Sequence, residues 1–186
     1  LIHVIGEITA ETFQRYMEQA DRVHSHNTVF ISSPGGDIGY TLAMLDEIDE
    51  SKRTTKASGF CQSAAAVLAT AGEGKRVCTS DTLFRFLPPM KEMVKRRIDG
   101  EDVEYEGVSD YGNFVHSLLV ARLAARLKTP VADISLMFDG EFISSVRAKE
   151  LGLIDEIIFT EVLNGKRDSD RFPGSESQAD GFADTD

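Results

Sequence analysis

Apolar residues along this chain switch repeatedly between two spacings. Leu1-Ile2-His3-Val4-Ile5 and Thr28-Val29-Phe30-Ile31 are short apolar or β-branched runs and read as strands, the first closed by Gly6. Between them Phe13, Met17 and Ala20 recur at helical spacing behind Thr9, a good N-cap residue, with Glu11 and Thr12 in the first turn. The alternation then repeats. Residues 37–49 form a helix with Ile38, Leu42, Leu45 and Ile48 on one side, residues 54–58 a strand, and residues 63–71 a helix of small residues. Residues 76–78 and 83–86 are strands again. Farther on, Pro130 opens a short helix to 137, residues 145–151 form a last helix ended by Gly152, and residues 154–159 a final strand. Strand and helix alternating in this way predict an α/β fold with parallel strands.

One stretch breaks the rhythm. Residues 90–108 are charged and alternate in the period of a strand, with Asp99-Gly100 at the middle, a strong hairpin signal. One arm is basic (Lys91, Lys95, Arg96, Arg97) and the other acidic (Glu101, Asp102, Glu104, Glu106), which supports pairing modestly. Asp110 is expected to cap a long helix to about residue 128, with Phe114, Leu118, Ala121, Leu123 and Ala125 as its apolar stripe. After Asn164-Gly165 the chain is polar, acidic and without period, which predicts a disordered tail. The expected division is a domain over 1–160, its hairpin and helix at about 90–128, and an acidic tail over 161–186.

Composition narrows the class. A chain of 186 residues with 41% apolar content can bury one real core. No apolar run reaches 18 residues, so no membrane span is expected. The net charge of −11 argues against a nucleic-acid surface, which needs a basic patch. Two cysteines, Cys61 and Cys78, have no metal-ligand spacing and read as buried thiols in a reducing compartment. The chain begins with Leu and has no signal-like segment, which reads as a fragment or trimmed subunit.

The candidate chemistry lies in two glycine-containing stretches. Ser32-Ser33-Pro34-Gly35-Gly36-Asp37 and Gly59-Phe60-Cys61-Gln62-Ser63-Ala64-Ala65-Ala66 each follow a strand-like run and open a helix. A strand that ends in glycine and turns into a helix leaves backbone N–H groups pointing outward, at the positive end of the helix. Two such turns side by side would cradle a developing negative oxygen, and Ser63 stands where a nucleophile would be placed. Each turn taken singly is ordinary turn and helix-start chemistry; it is the pair that is specific.

These residues carry a resemblance. Ile31-Ser32-Ser33-Pro34-Gly35-Gly36, the stretch from Gly59 to Gly72 with Ala71-Gly72-Glu73-Gly74-Lys75-Arg76, Phe142-Ile143-Ser144-Ser145 and Ala148-Lys149-Glu150-Leu151-Gly152-Leu153-Ile154-Asp155 resemble the proteolytic subunit of the Clp protease, within the crotonase-like superfamily. The resemblance runs from about Val4 to Ile158. It implies a spiral of ββα units with the hairpin and helix as a protruding handle outside the core, through which rings stack face to face. It implies a homo- or hetero-oligomer of stacked heptameric rings, polypeptide substrates and an AAA+ unfoldase partner, with no metal or organic cofactor, in the cytoplasm or a plastid stroma. The family's N-terminal axial loop would precede Leu1. By the same resemblance Ser63 falls on the nucleophile, and the backbone N–H groups of Gly36 and Ala64 on the oxyanion hole. The catalytic histidine falls on Leu87 and the catalytic aspartate on Gly140, beside Asp139.

A serine hydroxyl needs a base within hydrogen-bond reach. Leu87 cannot accept a proton, and Arg85 stays charged. Lys75 reads as a surface-turn lysine, His116 as a solvated or interface residue of the handle helix, and Cys61 as a core thiol. The expectation is therefore a Clp-protease-like ring subunit whose own peptidase site is silent. The alternatives are an active serine endopeptidase with a non-standard base on Ser63, and an acyl-CoA enzyme of the crotonase type.

Overall fold

The computed structural model of the protein describes residues 1–23 and 27–159. The tail expected over 161–186 lies outside the described residues. Most of the described strands form one seven-stranded sheet. Its main path runs β1 (Ile2–Ile5), β2 (Thr28–Ser33), β3 (Thr54–Gln62), β4 (Arg76–Thr79) and β9 (Glu156–Ile158), all paired in parallel. β5 (Leu83–Arg85) pairs in parallel with the end of β3, and β8 (Phe142–Ser144) closes against β5 in the antiparallel sense. Helices α1 (Ala10–Arg22), α2 (Ile38–Glu50), α3 (Ala64–Thr70), α4 (Asp110–Leu127), α5 (Val131–Ser135) and α6 (Ser145–Glu150) fill the crossovers. The parallel α/β architecture expected from the alternating spacings is the one observed.

Local signals set several element ends. Thr9 accepts a hydrogen bond from the Thr12 N–H and Asp37 one from the Tyr40 N–H, each capping its helix. Asp99 and Gly100 both take positive φ (51° and 92°), the conformation of a two-residue hairpin turn whose twist suits the flanking strands. β6 (Glu92–Ile98) and β7 (Glu101–Gly107) pair across that turn, with Lys95 2.7 Å from Glu104. The α4 cap is Ser109, one residue ahead of the expected Asp110.

Two expectations need correction. The first concerns Gly59, read from the sequence as the end of a strand. β3 runs on through it to Gln62, with Gly59 at φ +65° inside the strand. Ile31 of β2 faces Ala57, yet Ser33, two residues on, faces Cys61, four residues on. The extra residues bend β3, and its second half leaves β4 to pair with β5.

The second concerns α4, expected to lie outside the core. Its Leu119, Val120, Leu123 and Ala124 are buried in the main hydrophobic cluster with α3 and Ile134. Phe114 and Leu118, assigned to the apolar stripe, are 60% and 37% exposed. The helix is apolar on more than one side, and the alanines of α3 present a close-fitting surface to only one of them.

Two buried arginines tie the periphery to this core. Arg53, 3% exposed, is held by Glu47 at 2.6 Å, and Glu47 also accepts the Tyr16 hydroxyl. Arg76 grips Asp155 with both its Nε and Nη2 (3.1 and 2.6 Å), joining β4 to the entry of β9. Burial alone would raise the pKa of both carboxyls. The hydrogen bonds from Arg53, Tyr16 and Ser51 at Glu47, and from Arg76 at Asp155, outweigh it and hold both below their usual range.

A group whose folded pKa is depressed stabilises above its unfolded value and loses that contribution as pH falls through the folded one. Urea unfolding of the wild type is thus expected to weaken as pH drops below about 4. Glu47→Gln, which deprives Arg53 of its carboxylate, is expected to cost about 3 kcal/mol at neutral pH and to flatten that acid limb.

Candidate functional site

The Pro34-Gly35-Gly36 loop and the β3–α3 turn meet at backbone distance. A Cβ placed on Gly35 would lie 2.8 Å from the Gln62 carbonyl oxygen and 2.9 Å from the Ser63 Cβ. On Gly36 it would lie 2.3 Å from the Ile8 carbonyl oxygen. Both glycines have positive φ, 98° and 145°. The loop is fixed from beneath, where Ile8 N–H donates to the Gly35 carbonyl and Asp37 N–H to the Ile8 carbonyl, each at 2.8 Å. The two stretches singled out in the sequence are thus neighbours. The N–H groups of Gly36 and Ala64 have no acceptor among the described residues.

Ser63 occupies a strained turn. Its φ of 51° and ψ of −128° lie outside the regions open to ordinary L-residues, and it heads α3 without capping it. A serine thrown out on a sharp strand-to-helix turn is the arrangement in which a hydroxyl is exposed for chemistry. The strain is held on both sides: Ser63 N–H donates to the Arg85 carbonyl at 2.8 Å, and every residue of α3 is buried. No group among the described residues hydrogen-bonds the Ser63 hydroxyl.

Leu87 and Gly140 lie side by side. A Cβ on Gly140 would sit 3.8 Å from Leu87 Cδ2 and 3.8 Å from Arg85 Nη2. Gly140 N–H donates to the Phe86 carbonyl at 3.0 Å, and the Gly140 carbonyl accepts from Arg85 Nε at 2.6 Å. Asp139 points elsewhere: it is exposed, and its Oδ1 accepts the Glu141 N–H at 2.8 Å in a local turn.

Arg85, Lys75 and Cys61 are accounted for. Arg85 is occupied by Gly140 and stacks 4.9 Å over the Phe142 ring. Lys75 pairs with Glu156 at 2.5 Å. Cys61 is buried, and burial pushes its thiol up to about 12, far from a thiolate at neutral pH.

A cavity of about 590 Å³ opens beside Ser63, walled by Ile38, Leu87, Pro89, Val115, Leu119 and Phe138. His116 lines it too. The sequence leads one to expect this residue in solvent or at an interface. Within the chain it is half-buried, packed edge-on against Phe138 at 4.9 Å, with its Nε2 shielded from solvent and without a partner among the described residues. Burial lowers its pKa, partly opposed by a hydrogen bond with the Leu87 backbone. A signal for it existed: residue 116 stands three and seven places before the buried Leu119 and Leu123, on one helix face. Carboxylates are scarce here; among the described lining residues only the exposed Glu92 brings one. That leaves the crotonase-type alternative without support. Among the described residues there is no His, Cys, Asp and Glu cluster fit for a metal, and no helix long and apolar enough to cross a membrane.

The model of the family described as Clp protease matches residues 2–161. The chain is similar to the ATP-dependent Clp protease proteolytic subunit 4, chloroplastic, of Arabidopsis thaliana, 29% identical over 133 residues. That alignment covers 70% of this chain and 44% of the relative, so the chain spans less than half of that protein's length. The fold matches the crystal structure of the ClpP protease catalytic domain from Plasmodium falciparum, with a TM-score of 0.69 and 24% identity over 87% of this chain and 85% of that one.

Gly35→Ala forces a methyl against backbone and Ser63 at positive φ. It is expected to cost about 2–4 kcal/mol of stability. Gly6→Ala, at φ +80° but with nothing within 4 Å of the new methyl, is expected to cost only about 1–2 kcal/mol. Thermal melts of the two variants side by side measure the difference.

Proposed function

The chain belongs to the Clp protease family, and we propose that it is a chamber-forming subunit of a Clp-type ring whose own peptidase site is silent. What supports the reading is a single observation. Ser63 keeps the strained turn and the free amides of Gly36 and Ala64 beside it, yet no proton acceptor contacts its hydroxyl among the described residues. In this reading Ser63 is the nucleophile position and the two amides the oxyanion hole, while Leu87 and Gly140 stand for histidine and aspartate. A serine without its base retains only a small residue of catalysis. The loss is also built into the backbone. Gly140 at φ +85°, fixed by Phe86 and Arg85, is a conformation that a side chain adopts only with strain.

The subunit's contribution is then architectural. It joins homo- or hetero-oligomeric rings, stacked in pairs through the hairpin β6–β7 and the exposed face of α4, around a chamber that receives polypeptide from an AAA+ unfoldase. The exposed Met93, Tyr111, Phe114 and Leu118 supply apolar surface for that contact. The kinship with a chloroplastic subunit favours a plastid stroma among the compartments such a ring could occupy.

One observation favours the active alternative: His116 brings a partnerless imidazole nitrogen to the same cavity as Ser63. A serine-directed fluorophosphonate probe separates the two. The silent reading expects no labelling of the wild type. Labelling abolished by Ser63→Ala and also by His116→Phe would make the site active, with His116 as its base. Native mass spectrometry tests the architecture. Removal of residues 92–107 is expected to halve the mass of a double ring, and an unchanged mass would exclude the handle as the stacking element.

A further inference from the structure

The dipeptide Asp-Gly occurs three times in the chain, at 99–100, 139–140 and 180–181. The third lies outside the described residues. The glycines of the other two have nearly the same φ, 92° and 85°. Chemistry that depended on the dipeptide alone would treat these two alike, but their surroundings are opposite.

At 139–140 the polar groups are held. Gly140 N–H donates to the Phe86 carbonyl at 3.0 Å, the Gly140 carbonyl accepts from Arg85 Nε at 2.6 Å, and Asp139 Oδ1 accepts the Glu141 N–H at 2.8 Å. At 99–100 the carboxyl and the following amide are both free. Asp99 is exposed, and neither its carboxyl nor the Gly100 N–H has a partner among the described residues. A methyl group on Gly100 would meet nothing within 4 Å, so there is open space around this glycine. Arg97 Nε, which donates to the Gly100 carbonyl at 3.2 Å, touches neither of the two groups. Glycine also has no side chain to shield its own nitrogen.

We propose that Asp99-Gly100 is a site of spontaneous covalent modification, where the aspartate isomerises to isoaspartate and unlatches the hairpin. The Gly100 nitrogen attacks the carbon of the Asp99 carboxyl in its protonated form. A nitrogen–carbon bond forms, the nitrogen gives up its proton, the carboxyl hydroxyl leaves as water, and a five-membered cyclic imide closes. Water then adds to the imide. Opening at the side-chain carbonyl restores aspartate. Opening at the main-chain carbonyl leaves the backbone running through the side chain, one carbon longer, with a new carboxylate on the α-carbon. Mass is unchanged overall, and water is the co-reactant. A two-residue turn has no slack for an added backbone atom. Ile98 and Glu101 then no longer face each other, and the pairing that continues through Lys95 and Glu104 starts from a broken end. Among the described residues β6 and β7 form a separate two-stranded sheet, which is marginal once its turn is lost.

The test follows the intact chain stored warm at mildly acidic pH, where part of the carboxyl is protonated. Trypsin delivers the two dipeptides in separate peptides, 98–122 and 129–147. Isoaspartate in each is counted by methyl transfer from S-adenosylmethionine with an isoaspartyl methyltransferase. It is expected to accumulate at least about ten-fold faster in 98–122, because ring closure at 139–140 must first break the hydrogen bonds there. In denaturing urea the two rates are expected to become equal. Asp99→Ser is expected to abolish methylation of 98–122, which separates Asp99 from Asp102 and Asp110 in the same peptide. Amide hydrogen exchange over 92–107 is expected to quicken in the aged protein and to stay unchanged elsewhere. Equal rates in the native protein, a contrast that persists in urea, methylation of 98–122 that survives Asp99→Ser, or an aged hairpin that exchanges like a fresh one overturns the proposal.

Discussion

A contact with no room for a methyl group organises this protein. Gly35 lies against the Gln62 carbonyl and the Ser63 Cβ so closely that only hydrogen fits on its α-carbon, and Gly36 does the same against Ile8. Bringing two backbone turns this near requires the sheet to comply. β2 must end at Ser33, and β3 must bend at Gly59 so that its second half travels with β5. The bend delivers Ser63 to the head of α3 in a conformation no unconstrained serine would keep. Buried alanines behind it leave α3 no freedom to relax. The strain at Ser63 is a property of the whole central sheet rather than of the turn that bears it.

That frame also sets what surrounds Ser63. Positions 87 and 140 still adjoin one another, near the strand end that hydrogen-bonds Ser63. Leucine at 87 is part of an apolar wall. Glycine at 140 has taken a left-handed backbone, now held by Arg85, whose guanidinium in turn lies over Phe142. A side chain at 140 would meet only ordinary contacts with Arg85 and Leu87, so its cost would lie in the left-handed backbone.

Much of this was legible in the sequence because it is local. Caps at Thr9 and Asp37, the Asp99-Gly100 hairpin and the alternation of strand and helix depend on residues a few places apart, and each formed where its neighbours dictated. The meeting of the two glycine stretches was legible only through a resemblance, since nothing local says that residues 35 and 63 touch. Gly59 misled because a glycine inside a strand and one at its end look alike until the partner strands are known. The surroundings of His116 are hard to read for the related reason that α4 is apolar on several faces. Which face is buried depends on α3 and α5, not on the helix's own period.

The same helix shows why core and handle cannot be treated as separate parts. Leu118 and Leu119 are adjacent, yet one is 37% exposed and the other belongs to the core cluster. Val115, His116 and Leu119 line the cavity, Leu123 and Ala124 lock against the core, and Phe114 looks outward. An α-helix turns by about 100° per residue, so a displacement felt on one of these faces is carried rigidly to the others within a single turn. The outward-facing side chains of α4 and the wall that holds the His116 ring are therefore set by one rigid element.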